Sequence, residues 1–414
     1  MKMDEFNAPE IAKGVFSVGA KDWNRRMVDA LIPIPNGTSY NSFLVKGEGK
    51  TALIDTVNRG FEDELVRRAG QVASLADLDY IVMNHAEPDH AGAIARMMQV
   101  GSKAMLIATK KGAKAAQLYY AVPEERIKTV EDGEILALGG KTLQFIDAPW
   151  LHWPETMFTY LVEDRILFSC DFFGMHTARD LYGEESEEAI SSAKTYFGEI
   201  MMPFRSMGRK ALDKISRLDI GTIAPGHGPI HKNPARLLDA YKKWTSGETR
   251  EKAIVAYVSM LGSTEAMVKT MVETLLSEGV EVSVFNLADS DPGSIARDFV
   301  DARAIVLGTP TVLGGMHPYV GYAAYLIRMF RPPLRYCAIL SSHGFGGGAV
   351  GQAKENLDLA KIEVVGTLDV NGPPGAEEHR KIIAMGKELA GRIKGEKEIK
   401  EKKTKKEREA AKAI

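Results

Sequence analysis

The stretch MNHAEPDH, Met83 to His90, packs four metal-capable side chains, His85, Glu87, Asp89 and His90, into six residues. Before it runs LDYIV, an apolar, β-branched segment that reads as a buried strand. After it runs AGAIARMM, which reads as a helix start. The cluster is therefore expected at a strand-to-helix turn. In extended chain at the strand end, His85 and Glu87 point the same way, because alternate residues share a face. Asp89 and His90 then turn back at the helix N-terminus. Two groups of ligands leaving one turn in different directions suit two adjacent metal ions better than one. A helix-capping aspartate beside incidental histidines would explain any one of these residues. It does not explain the set together with the partners found downstream.

Three further candidates each follow an apolar strand and sit in a turn. His152 stands in PWLHWPET just past LQFIDA, Asp171 ends RILFSCD, and His227 lies in APGHGP after IGTI. Loops at strand ends collect on one edge of a sheet, so these residues can converge although they are far apart in sequence. With the first cluster they supply four imidazoles and three carboxylates. Asp171 is the natural bridge between two ions, since the other ligands divide evenly around it. His231, four residues past His227, reads as a surface residue.

The flanking sequence alternates strands and helices. GVFSVGA and SYNSFLVKGEGKTALIDT read as strands with a hairpin at Lys46–Gly49. Phe61 to Val72 reads as an amphipathic helix, AMLIAT (104–109) as a strand, Lys111–Tyr119 as a helix, and RIKTVEDGEILALGGKTLQFIDAP as a run of hairpins. Helices outside a mixed sandwich fit this order better than a pure βαβ succession.

The 414 residues allow two or three domains, and 45% hydrophobic with 26% charged residues is the balance of a water-soluble globular chain. A net charge of −2 offers no global basic field for nucleic acid or acidic membrane. There is no bilayer-length apolar run and no apolar signal-peptide core in MKMDEFNAPEIAKG, so a cytoplasmic location is expected. The two cysteines, Cys170 and Cys337, form no CxxC pair, which leaves no thiolate-bound iron–sulfur or rubredoxin module.

From Asn233, NPARLLDAYKKWTSG reads as a helix with Pro234 in its first turn, and SGETRE as a linker. The texture then changes. AIVAYVS, EVSVFNLAD, ARAIVLGTP, LRYCAILSS and IEVVGTLDV are apolar strands separated by helical segments, the pattern of a doubly wound parallel sheet. The first turn, SMLGSTE, puts Ser259, Gly262, Ser263 and Thr264 at a helix mouth, where N–H groups and the helix dipole favour a phosphate dianion. There is no GxGxxG, so a dinucleotide is disfavoured and a monophosphate such as FMN fits. GTPTVLGGMHP and SSHGFGGGAV are glycine-rich and stand at strand carboxyl ends, where backbone can approach a flat ring and Phe345 can stack on it. From Lys394 the chain becomes KGEKEIKEKKTKKEREAAKAI, which reads as a solvated helix or a disordered tail. A docking arm for an acidic redox partner is the sharper alternative.

HxExDH followed by H, D and H at these intervals resembles the metallo-β-lactamase fold in its flavodiiron variant. Hydrolases of that fold carry HxHxDH and usually zinc. Here Glu87 replaces the second histidine, and a hard anionic oxygen donor shifts preference toward iron. The resemblance covers about residues 8 to 392. It implies a class A flavodiiron protein: an N-terminal αββα metallo-β-lactamase-like sandwich, a C-terminal flavodoxin-like doubly wound sheet, and domains at 1–249 and 250–393 with the charged tail at 394–414. By the same resemblance, His85, Glu87 and His152 hold one iron, Asp89, His90 and His227 the other, and Asp171 spans both. His176 and Tyr196 are second-tier catalytic candidates, the tyrosine as a donor to bound oxygen. The implied FMN contacts are Ser259, Met260, Gly262, Ser263 and Thr264, then Pro310, Thr311, Leu313, Gly314 and Gly315, then Ser342, His343, Gly344, Phe345 and Gly346. Two positions depart from the pattern: the family often has tryptophan where Phe345 stands and polar residues near Leu313.

The implied activity is reduction of O2 to water or NO to N2O at a diiron site, with electrons arriving through FMN. An external donor such as rubredoxin or reduced deazaflavin F420 and a head-to-tail homodimer, or a dimer of dimers, complete the expectation. Three other classes compete: a zinc-dependent hydrolase with an accessory flavodoxin domain, a non-enzymatic electron carrier, and a flavin-dependent quinone reductase. Glu87 argues against the first and the seven-ligand set against the second. Activity surviving the loss of Asp89 and His90 would identify the third.

Overall fold

The computed structural model describes residues 8–183 and 186–411, with side chains as far as Gly395. The chain divides into two compact units, Met1–Ser246 and Gly247–Ile414, with the division inside SGETRE.

The first unit is built on two sheets. One has seven strands in the order Glu10–Ala12, Val15–Ser17, Phe43–Lys46, Thr51–Ile54, Tyr80–Val82, Met105–Ala108 and Ile127–Thr129. The other has six, in the order Ile135–Ala137, Thr142–Asp147, Met157–Leu161, Ile166–Cys170, Thr222–Pro225 and His231–Lys232. The period of two decides which side chains go where. Phe43, Val45, Ala52 and Ile54 join Phe145, Met157 and Phe168 in one buried cluster, while their strand neighbours Leu44 and Leu53 join a second cluster with Leu65, Ala69, Met97 and Ala116. The latter four lie on the helices Glu62–Val72, Ile94–Val100 and Lys110–Tyr120. The first sheet is thus sandwiched between its partner sheet and these helices. Each side chain buried this way contributes about 1.5–3 kcal/mol for Val, Leu, Ile, Phe or Met.

The hairpin at Lys46 forms as expected, with Gly47 N donating to Lys50 O at 2.9 Å. The run of hairpins from Arg126 does not. Ile127–Thr129 pairs in parallel with Met105–Ala108 in the first sheet, whereas Ile135–Ala137 pairs antiparallel with Thr142–Asp147 in the second. The VEDGE segment between them is therefore a crossover between sheets. Only the second hairpin of the run is real.

The second unit has five parallel strands in the order Glu281–Asn286, Lys252–Tyr257, Ala304–Val312, Tyr336–His343 and Glu363–Asn371. The first strand in sequence lies between the second and third. Loops leaving it and the third strand part there, and the crevice at that switch point is where such sheets bind ligands. Gly315–Met316 folds back on Thr311–Val312 as a short antiparallel extension. The charged segment from Lys394 prolongs the helix Ala376–Ala411, whose side chains from residue 396 onward, with residues 412–414, lie outside the described part.

Candidate metal centre and glycine-rich loops

Each segment that carries a predicted metal ligand leaves a strand carboxyl end. His85 follows Tyr80–Val82, His152 follows Thr142–Asp147, Asp171 follows Ile166–Cys170, and His227 follows Thr222–Pro225. The turn at His85 is clamped from behind. Asp55 accepts from Asn84 N at 2.7 Å and Asn84 Nδ2 at 2.9 Å, and Asn84 Oδ1 accepts from Thr159 Oγ1 at 2.7 Å. Pro88 opens a one-turn helix, Pro88–Ala91, which carries Asp89 and His90 back toward the strand end. The His90 carbonyl accepts from Thr56 N and Thr56 Oγ1 at 2.6 and 2.8 Å, which locks that turn. Gly226 is needed behind His90, because a Cβ there would stand 2.6 Å from the imidazole Cε1.

The seven residues meet as two groups sharing Asp171. Its Oδ2 lies 3.4 Å from both His85 Nε2 and His152 Nε2, and Glu87 Oε2 lies 3.2 and 2.9 Å from the same two nitrogens. Its Oδ1 lies 2.9 Å from His90 Nε2 and 3.6 Å from His227 Nε2, with the Asp89 oxygens 3.6 and 3.2 Å from those nitrogens. His85, His90, Asp171 and His227 are buried; the side chains of Glu87, Asp89 and His152 are 24, 24 and 20% exposed and form the open side.

The imidazoles behind this rim are oriented for metal. His85 Nδ1 bonds the buried Glu155 carboxylate at 2.8 Å, and His227 Nδ1 bonds the Ser39 carbonyl at 2.6 Å. With a metal bound, a proton kept on Nδ1 by these acceptors would leave each Nε2 lone pair facing the centre. Glu155, in PWLHWPET, escaped the sequence reading. So did Ser39, whose backbone carbonyl leaves no residue-type signature, and Thr38, whose hydroxyl bonds His176.

The electrostatics match a cation-binding rim. Burial works against ionisation of Glu87, yet hydrogen bonds from His152 and His85 bring its carboxyl down to about 2. Burial likewise opposes the Asp171 charge, and His90 and the other imidazoles hold it well below the ordinary carboxylate range. Burial would depress His85, but Glu155, Glu87 and Asp171 raise it well above its usual value. Asp89 Oδ1 and Asp171 Oδ2 are buried without a hydrogen-bond partner. A buried acceptor left in that state costs several kcal/mol unless a cation takes it up. The nitrogen and oxygen donors, with no thiolate among the seven, fit a pair of iron ions.

The second-tier residues border this set. Tyr196 donates to Asp171 Oδ1 at 2.9 Å, and burial with the Asp171 charge keeps its phenol protonated. His176 bonds Thr38 Oγ1 at 3.0 Å and packs on Tyr196 and His227 at 4.9 and 5.0 Å between ring centroids. Burial, then the neighbouring His227 imidazole, depress it to about 3, so it is neutral. His231 corrects the expectation of a surface residue: it is buried on the short edge strand against Gly183, and burial lowers it to about 4.

In the second unit the three glycine-rich segments leave adjacent strands, Lys252–Tyr257, Ala304–Val312 and Tyr336–His343. Gly262 caps the helix Ser263–Ser277 at φ 88°, a left-handed conformation open to glycine, and nothing lies within 4 Å of where its Cβ would be. Ser259 Oγ accepts from Gly262 N and Glu265 N, each at 3.2 Å. Thr264 Oγ1 and Ser342 Oγ lie 2.9 Å apart and tie the first loop to the third. Thr311 Oγ1 in the second loop is buried without a partner. Met260, Leu261, Leu313 and Phe345 are exposed around these loops, and His343 Nδ1 bonds Asp369 Oδ1 at 2.9 Å. Hydroxyls and amides at the helix mouth, with exposed apolar side chains alongside, fit a phosphate bearing a flat ring.

The model of the ODP family beta lactamase matches residues 38–228. A nitric oxide reductase of Moorella thermoacetica is 35% identical over 92% of this chain and 98% of its own length. A coenzyme F420H(2) oxidase of Methanothermobacter marburgensis is 35% identical over 94% of this chain and 99% of its own length. The rubredoxin oxygen:oxidoreductase from Desulfovibrio gigas superposes with a TM-score of 0.90 at 27% identity, covering 94% of this chain and 99% of that one. The flavodiiron protein from Giardia intestinalis does so with a TM-score of 0.89 at 29% identity, covering 94% and 97%. These likenesses span both units. The chain belongs to the flavodiiron protein family.

Proposed function

We propose that the chain is an oxidoreductase that reduces dioxygen to water, nitric oxide to nitrous oxide, or both, at a diiron site fed through FMN. The observation that carries this reading is the division of Asp171 between two ligand groups, one containing Glu87 and the other Asp89. When bound, the irons supply redox-active positions for a diatomic gas, and the flavin supplies exchange between one- and two-electron transfer.

In this proposal His85, Glu87 and His152 hold one ion, Asp89, His90 and His227 the other, and Asp171 both. Glu155 and Ser39 fix the imidazole tautomers by holding the Nδ1 protons. Tyr196 keeps its proton at the phenol oxygen and steadies Asp171. Neutral His176 excludes water beside His227. Thr264 and Ser342 tie the phosphate loop in place, and the exposed Leu313 and Phe345 would be available to cover a flavin ring.

The electron donor belongs to the class of rubredoxin or reduced deazaflavin F420, in keeping with relatives named for each. A head-to-tail homodimer, a boundary near 249 between the two domains, and a cytoplasmic location belong to the same reading. Among the described residues no helix is long and apolar enough to cross a membrane. The test is anaerobic stopped-flow of the reduced protein, with iron and FMN measured, against O2 and NO separately. Rapid flavin reoxidation by at least one gas is expected. Slow reoxidation by both at full iron occupancy would refute the assignment.

A further inference from the structure

We infer that Trp153 and Tyr119 form a relay that draws oxidising equivalents from the metal centre to the surface when electrons run short. The buried ligand His85 meets the Trp153 indole edge-to-face, 5.2 Å between ring centroids, and His152 meets the same indole at 6.3 Å. Trp153 in turn lies 6.3 Å from Tyr119, which is 52% exposed at the end of the helix Lys110–Tyr120. The spacing is held from behind. Tyr120, 6.3 Å from Tyr119, donates its hydroxyl to Ala86 O at 2.5 Å and so ties that helix end to the ligand turn.

Residue type matters as much as distance. Phenylalanine or leucine would fill the same space, but indole and phenol are the aromatic side chains that lose an electron most readily. The other half of the centre lacks an outlet of this kind. The tyrosines beside His227, Tyr40 and Tyr196, are both buried, and Tyr196 is committed to Asp171. Only the half containing His85 and His152 has an oxidisable ring at the surface next in line, among the described residues.

The inference rests on the diiron reading, in which a reduced gas needs its full complement of electrons. For each electron the donor fails to deliver, the Trp153 indole gives one and becomes a radical cation. Tyr119 returns one electron to the indole and releases its phenolic proton to solvent, leaving a neutral phenoxyl. A thiol in solution then transfers a hydrogen atom: its S–H bond breaks, the phenol O–H bond forms, and two thiyl radicals couple to a disulfide. The relay protects the ligands, because the damaging equivalent leaves before it oxidises a histidine.

The test uses iron- and FMN-loaded protein, reduced with a limiting amount of dithionite, mixed with excess O2 without thiol and freeze-quenched for electron paramagnetic resonance. Oxygen consumption with excess reductant is recorded on the same samples. Wild type should give a tyrosyl signal that added thiol removes. Tyr119→Phe should replace it with a tryptophan-type signal, keep its oxygen consumption under excess reductant, and inactivate several-fold faster when reductant is limiting. Trp153→Phe should lose the tyrosyl signal; because Trp153 packs on two ligands, the surface variant carries the test independently. An undiminished tyrosyl signal in either variant, or no radical in wild type that consumes oxygen, overturns the relay and leaves the diiron reading standing. Absence of bound iron, or of oxygen consumption with excess reductant, overturns both.

Discussion

The metal centre and the glycine-rich loops of the second unit solve opposite problems. The first gathers charge in the interior: four of its seven candidate ligands are buried, and every imidazole faces a carboxylate oxygen within 3.6 Å. The second leaves apolar groups outside: Leu261, Leu313 and Phe345 are fully exposed on loops that need cover. Charge in the interior demands a stiff scaffold, which the Asp55–Asn84–Thr159 bonds and the two-sheet core provide. Exposed apolar loops can adjust to a planar guest. The centre is therefore shaped in advance, whereas the loops are completed by what they hold.

The contrast predicts effects of very different size. Asp171→Asn removes the charge both groups share, and the expected outcome is loss of both irons with activity down by more than about a hundredfold, read by metal analysis and gas consumption. Retention of two irons would show that the two groups do not depend on their common carboxylate. Glu155→Gln leaves every ligand in place but takes the charge from behind His85; iron affinity should fall about 10- to 100-fold, measured by chelator competition. FMN content should not change in either variant.

His231 tests whether burial alone, without a carboxylate partner, governs an imidazole in the same unit. Its folded value of about 4 lies below the usual 6.5, so the unfolded chain binds more protons between those values. Stability present near pH 7 should drain away as pH falls through 6.5 and level off near 4, a loss of roughly 3 kcal/mol from this group. Urea denaturation of wild type and His231→Leu at pH 7 and 4.5 should show a smaller drop in the variant; equal drops would rule this group out. Smaller again is Gly262→Ala, which strains a left-handed position by about 1 kcal/mol and should weaken FMN binding roughly fivefold, by fluorescence titration, with iron content intact. Phe345→Ala should have the least effect on affinity, under about threefold, and show mainly in the flavin absorption spectrum.

The convergence of the seven candidate ligands was legible because metal chemistry restricts residue type: histidine, glutamate and aspartate after apolar strands are rare in combination. The residues behind them were not. Glu155 is 70 positions from His85, and a carboxylate three residues past His152 looks like any other loop acid. Ser39 contributes only a carbonyl, which every residue has. His231 read as exposed because a two-residue edge strand has no periodicity to reveal that Gly183 packs against it. In the second unit the strand texture was plain from its continuous β-branched runs. In the first, the crossover between Thr129 and Ile135 was hidden, since pairing partners, not the strands themselves, decide whether two neighbours make a hairpin.

The forked role of Asp171 bears on how the protein acquires its metals. In the proposed diiron arrangement, the first ion to arrive would take up the residual freedom of that carboxylate and so prepare the opposite oxygen for the next. Uptake should then be cooperative, with molecules carrying a single ion scarce at every stage of a titration. A cell short of iron would hold a mixture of complete and empty copies, and few that are half-built.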